Sequence, residues 1–96
     1  MARLPVVKID LSLINESNQL HSTLSNALGF PNWYGQNWDA FWDAITGLVE
    51  MPIELELIGW SVFSEHLPRD AKLMRQCLTD MTIEYPDLAP DVHYLS

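Results

Sequence analysis

Two hydrophobic spacings alternate along the chain, and their alternation sets out the elements. Val6 to Leu11 (VVKIDL) is a short apolar run ending in polar residues, which predicts a strand. Leu20, Leu24, Ala27 and Leu28 then recur at the three- and four-residue intervals of one helix face. Asn15 to Ser17 offer N-caps for that helix, and Gly29 offers a stop. Pro31-Asn32 and Gly35 mark a loop. Phe41, Ala44, Ile45 and Leu48 resume the helical spacing, and Asn37 stands where an N-cap would accept from a backbone N–H two or three residues on. A second helix is expected from about Trp38 to Thr46. Gly47 is placed for a left-handed C-cap, and Pro52 blocks a restart.

The second half repeats the plan. In Ile53 to Ile58 (IELELI), the apolar Ile53, Leu55 and Leu57 alternate with Glu54 and Glu56, as in a strand, and Gly59 ends it. Trp60 to Leu67 reads as a short helix with Trp60, Phe63 and Leu67 on one side. Pro68 suits the first turn of another helix, where its missing N–H costs nothing. Leu73, Met74, Cys77, Leu78 and Met81 give that helix its apolar face. Pro86 and Pro90 confine Glu84 to Asp91 to a loop, and Val92 to Leu95 predict a last strand. The order strand, two helices, strand, two helices, strand suits parallel strands joined by right-handed crossovers. The expected fold class is α/β: a small three-stranded parallel sheet packed with about four helices, in one domain over residues 1–96.

Composition narrows the function. The net charge is −8. Residues 9–68 hold eight Asp or Glu and no Lys or Arg, so the middle of the chain carries all of it. Such a surface repels nucleic acid and anionic membranes and attracts basic proteins. No apolar run approaches the roughly 20 residues of a membrane span, and no signal-peptide core follows the N-terminus. Cys77 is alone, is expected to be a helix residue without redox function, and with these points suggests a reducing, cytoplasmic setting. His21, His66 and His93 are scattered without metal-ligand spacing and read as surface or structural residues. No Gly-rich phosphate loop or nucleophile elbow occurs, so no cofactor and no metal is expected.

The densest chemistry lies in Phe30 to Glu50 (FPNWYGQNWDAFWDAITGLVE), which holds three of the four Trp and three carboxylates but no Lys or Arg. On the expected helix, Asp39, Asp43 and Thr46 form a polar stripe flanked by Trp38 and Trp42. Asp39 lies in the first turn, where the helix dipole favours an anion. Asp43 stands four residues on, where like charges repel by about 0.2–0.5 kcal/mol, and no base on the helix offsets them. A solvated acidic face is one reading, and a core role for Trp38 and Trp42 is another. Trp beside unpaired carboxylates is also the composition of an interface hot spot. Two further functions fit an acidic helix: a nucleic-acid mimic that binds some other basic protein, and a hydrolase using Asp39 and Asp43 as a carboxylate pair. The second would need a cleft, which one turn of a convex helix does not supply.

The run PNWYGQNWDAFWDAITG (31–47) closely resembles the binding loop and second helix of the barstar family, bacterial intracellular inhibitors of the ribonuclease barnase. The resemblance continues through Val49, Glu50 and Pro52 into the following strand, and more loosely along the chain until its last fifteen residues. It implies a barstar-like fold and a non-enzymatic inhibitor, monomeric when free. The implied partner is a basic, barnase-like ribonuclease of the extracellular type, or a toxin for which this chain is the immunity protein. By the resemblance, Asp43 falls on the family's central acidic anchor and Asp39 on its second acid. Trp33, Asn37, Trp38, Trp42, Thr46 and Gly47 fall on its other contact positions. Asp80, on the last long helix, matches a further acid by spacing alone. The chain departs from the family in having another aromatic residue, Trp33, at one contact, a larger residue, Trp38, at a second, and Leu48 in place of an aromatic.

Overall fold

The computed structural model describes residues 3–96. Its order is β1 (Val6–Asp10), α1 (Ser17–Leu28), α2 (Trp38–Asp43), a π-helical turn (Ala44–Leu48), β2 (Glu54–Ile58), α3 (Trp60–His66), α4 (Pro68–Glu84) and β3 (Asp91–Leu95). The strands form one parallel sheet in the order β1-β2-β3, as the alternating spacings predict. Register aligns Val7, Leu55 and Val92 in one row and Ile9, Leu57 and Tyr94 in the next. These rows face the helices. Leu55 and Leu57, on the central strand, are fully buried, whereas their counterparts on the edge strand β3 are only half-buried. The other face of the sheet carries Lys8, Glu56 and His93 in one row, so only one face is packed.

The core is one continuous cluster between sheet and helices. Leu20 and Leu24 come from α1, Phe41 from α2, Ile45 from the π turn, Phe63 from α3, and Met74, Leu78 and Met81 from α4. Burying each such side chain contributes about 1.5–3 kcal/mol relative to leaving it exposed. Within α4 the expected apolar face holds at Met74, Leu78 and Met81, while Leu73 and Cys77 lie at its half-buried margins. Ile53, expected to alternate into the core with Leu55, precedes β2 and is exposed.

Two glycines stand where a side chain would be strained. Gly29 closes α1 at φ 74°, with its N–H on the Ser25 carbonyl, and turns the chain into the loop before α2. Gly59 joins β2 to α3 at φ 75°, and a Cβ there would lie 2.6 Å from the Cβ of Ser12. The N-caps expected at Asn15 to Ser17 are not made. The cap position falls at Glu16, without a side-chain bond, and the Gln19 amide instead accepts from the Asn15 N–H at 3.2 Å. Arg3 ties the start of the chain to two loops. Its guanidinium donates to the carbonyls of Met51 (2.8 Å) and Pro52 (2.7 Å) and reaches those of Asp87, Leu88 and Ala89.

Candidate partner-binding site

The loop ahead of α2 is shaped by its own turn residues. The Tyr34 N–H donates to the Pro31 carbonyl at 3.0 Å, closing a turn that leaves Trp33 70% exposed at its tip. An indole so exposed contributes nothing to the core, so its burial remains available to a partner. Asn37 caps α2 as expected: its Oδ1 accepts from the Ala40 N–H at 2.7 Å, and its Nδ2 donates to the Gly35 carbonyl. Between them Gln36 sits at φ 52°, the one non-glycine with positive φ among the described residues. Such a conformation persists only when its surroundings hold it.

The helix seats itself by Phe41, which is 1% exposed and packs edge-on to Trp38 at 5.1 Å and Phe30 at 5.9 Å. That orientation turns Asp39 and Asp43 outward, and both are exposed. Among the described residues the one contact within 4.0 Å between a basic and an acidic side chain is His93 with Glu54, on the far face of the sheet. Among the described residues the two acids of α2 therefore have no basic partner within 4.0 Å, although α4, which packs against α2, carries Arg69, Lys72 and Arg75. Trp38 and Trp42 are half-buried and packed against the core, between the core and interface alternatives. The Trp38 Nε1–H donates to Asp70 of α4 at 3.0 Å. Trp42 lies 6.4 Å from Tyr85, just past the end of α4.

The C-terminal end of the helix departs from expectation. The α-helical bonding stops at Asp43, and Ala44–Leu48 form a π turn, with the Val49 N–H on the Ala44 carbonyl at 3.2 Å. Gly47 lies inside that turn and not at a left-handed C-cap; Gly29 and Gly59 are the positive-φ glycines among the described residues. A π turn holds an extra residue, so positions 41, 44, 45 and 48 no longer project to one side. Phe41, Ala44 and Ile45 stay buried, but Leu48 swings out to 45% exposure. Thr46 is half-buried and its Oγ1 donates back to the Trp42 carbonyl at 2.6 Å, while Gly47 is exposed.

Asp80 is half-buried on α4 and accepts from Gln76 at 2.9 Å. Burial pushes the nearby Cys77 thiol up, and the carboxylates of Asp80 and then Asp39 add to that shift. The expected residues thus divide into an exposed group (Trp33, Asn37, Asp39, Asp43 and Gly47) and a half-buried group (Trp38, Trp42, Thr46 and Asp80). Sequence spacing does not bring out four further residues. His21 and Tyr34 meet under the loop, and Tyr85 and Leu88 border the far edge. A recess of about 260 Å³ opens there among Ile45, Thr46, Val49, Glu50, Met51, Leu88 and Arg3. Nothing local in the sequence marks these contacts, since each joins segments distant along the chain.

The half-buried state of Trp42 carries an expected outcome. In a variant retaining Trp42 as its sole Trp, acrylamide should quench the free protein and quench it less once a partner is bound. Equal quenching in both states would remove Trp42 from the contact surface.

Among the described residues no cluster of His, Cys, Asp and Glu could hold a metal ion, and no helix is long and apolar enough to cross a membrane. Comparison with known proteins gives a matching family and a curated relative. A family model described as Barstar (barnase inhibitor) covers residues 4–95. The protein named "Putative ribonuclease inhibitor YrdF" of Bacillus subtilis (strain 168) is 50% identical over 38 residues, 40% of this chain and 42% of that protein. The matched stretch spans less than half of that relative's length.

Proposed function

This chain belongs to the barstar family, and on that premise we propose that it is a stoichiometric ribonuclease inhibitor acting through the loop at Trp33 and the acidic face of α2. The observation that carries the reading is the pair Asp39 and Asp43, exposed and without a basic partner, between two half-buried indoles. A ribonuclease site must hold phosphates, so it is concave and lined with Arg, Lys and His. Carboxylates on a convex helix can stand where phosphates would, in charge-assisted and sometimes bidentate pairs with Arg. RNA is then excluded by occupancy, and no bond is made or broken.

In this reading Asp43 is the central anchor and Asp39 the second acid. Trp33, Asn37, Trp38, Trp42, Thr46 and Gly47 surround them, and Asp80 supplies a further negative charge beyond Asp39. The partner is a basic, barnase-like ribonuclease. Backbone amide exchange tests the footprint. Adding the ribonuclease should slow exchange across residues 33–47 and leave the far face of the sheet unchanged. Protection confined to the far face, around Glu54 and His93, would place the site elsewhere.

The charge distribution adds a kinetic expectation. With −8 overall and no Lys or Arg in residues 9–68, attraction to a basic partner extends over a Debye length, about 8 Å at physiological salt. Stopped-flow association with the ribonuclease should therefore slow steadily as salt rises. A flat salt series would remove steering from the account.

A further inference from the structure

The one buried polar side chain among the described residues is His21 of α1, 2% exposed, and it lies directly under the binding loop. Its Nδ1 is 2.7 Å from the Tyr34 hydroxyl, and its ring packs 4.6 Å from that of Trp38. It thus touches both ends of the five-residue span 34–38. Between those ends lie the strained Gln36 and the capping Asn37. Two weaker ties reach the same span: Gln36 donates to Ser22 of α1 at 3.2 Å, and the Tyr34 hydroxyl stands 3.5 Å from the Asn37 carbonyl. The second distance is long for a hydroxyl donor, so the single Tyr34 proton is better placed on His21.

We infer that His21 is a positioning residue for the proposed inhibitory loop, holding it in shape by accepting the Tyr34 hydroxyl proton on Nδ1. The chemistry is that of a donor with one proton and an acceptor with one lone pair. Neutral His21, protonated on Nε2, accepts that proton and anchors Tyr34, whose ring is itself buried against Phe30 at 4.8 Å. The anchored Tyr34 and the His21–Trp38 contact fix the two ends of the span, so Gln36 remains left-handed and Asn37 stays over the start of α2. Trp33 precedes this span and Asp39 follows it, so the clamp sets where both are presented.

Protonating His21 would remove the lone pair and place a cation among aromatic rings. The titratable groups that face the clamp are Tyr34 itself from the loop, and Asp70 and Cys77 from α4. Burial holds His21 below its ordinary value of 6.5, with Asp70 opposing to a lesser degree, and burial pushes Tyr34 up. Because the folded value is the lower one, an opened loop takes up the proton first. As pH falls below 6.5, acid therefore shifts the balance toward the open loop.

This inference rests on the inhibitor reading for its consequence, but not for its test. Tyr34→Phe keeps the ring and removes the hydroxyl. In the free protein, amide exchange at residues 33–38 is measured as a ratio to exchange in β2, which cancels the intrinsic pH dependence. At pH 7 the ratio should rise in Tyr34→Phe by roughly threefold to tenfold, the scale of one lost hydrogen bond. Between pH 7 and 5 it should climb in the parent and climb less in the variant, which keeps the buried imidazole but has no hydroxyl bond left to lose. A residue with a merely structural part would move β2 and loop together and leave the ratio level, which would overturn the inference. Inhibition of the ribonuclease should weaken in Tyr34→Phe by a similar factor. A loosened loop with unchanged inhibition, alongside a disabled Asp43→Ala, would also overturn it. Should Asp43→Ala inhibit normally as well, the ribonuclease reading has failed, and the exchange ratio alone decides the role of His21.

Discussion

Asp43→Ala is expected to lose ribonuclease inhibition while keeping its fold. In the free chain Asp43 is exposed and has no basic partner within 4.0 Å among the described residues, and Asp39 stands one turn before it. Removing the carboxylate deletes no contact of the fold. It relieves about 0.2–0.5 kcal/mol of like-charge repulsion and introduces the best helix former, so the urea midpoint should hold or rise slightly. In the proposed complex the same carboxylate would be desolvated among cationic groups, and its loss would leave them unpaired. Truncating one partner of such a buried pair costs about 2–5 kcal/mol or more, a general range that includes the family's own barnase complexes. That is roughly 30-fold to several thousand-fold in affinity. Asp39→Ala should act in the same direction but more mildly. An Asp43→Ala protein that inhibits as well as the parent places the site elsewhere, and one that unfolds makes Asp43 structural.

Phe41→Ala is expected to do the reverse. Phe41 lies on the opposite side of the same helix, 1% exposed, between Phe30 and Trp38. Cutting a buried Phe to Ala costs about 3–5 kcal/mol through lost burial and the cavity left behind. Small domains hold only about 5–15 kcal/mol in all. With a urea slope of about 1–3 kcal/mol/M, the midpoint should fall by more than about 1 M. The damage is local first, because α2 has six residues and is held by packing and not by its own length. Inhibition should weaken in step with the folded fraction and return as ribonuclease is added in excess, since a partner that binds only the folded form stabilises it. A parent-like urea midpoint would mean that Phe41 does not seat the helix. Together the two substitutions separate the face of α2 that holds the fold from the face proposed to bind.

Much of this was legible in the order of residues, for identifiable reasons. The sheet could be read because a period of two at Leu55 and Leu57 and a period near 3.6 at Leu20 and Leu24 leave little choice of element. The Gly29 stop and the Pro68 start follow from backbone chemistry that those residues impose anywhere. The acidic face could be read because charges at positions 39 and 43 stay on one side of any helix. The end of that helix could not. Gly47 is as acceptable in a π turn as in a left-handed cap, so the residue type alone does not choose between them. Leu48 faces outward, although its spacing places it in the core. The clamp of His21 on Tyr34 was hidden for another reason: residues thirteen apart give no periodic signal. The same holds for Trp38 with Asp70 and Trp42 with Tyr85, which only the packing of α2 against α4 and its C-terminal end brings together.

The central claim is that this chain silences a ribonuclease by occupying it, and one titration tests that directly. A fixed amount of a barnase-like ribonuclease is mixed with increasing amounts of the chain, and RNA cleavage is followed. Occupancy predicts that cleavage falls in a straight line and ends at one equivalent, with no cleavage by the chain alone. Cleavage that stays undiminished past several equivalents would contradict the account, as would loss of activity produced by amounts of the chain far below one equivalent.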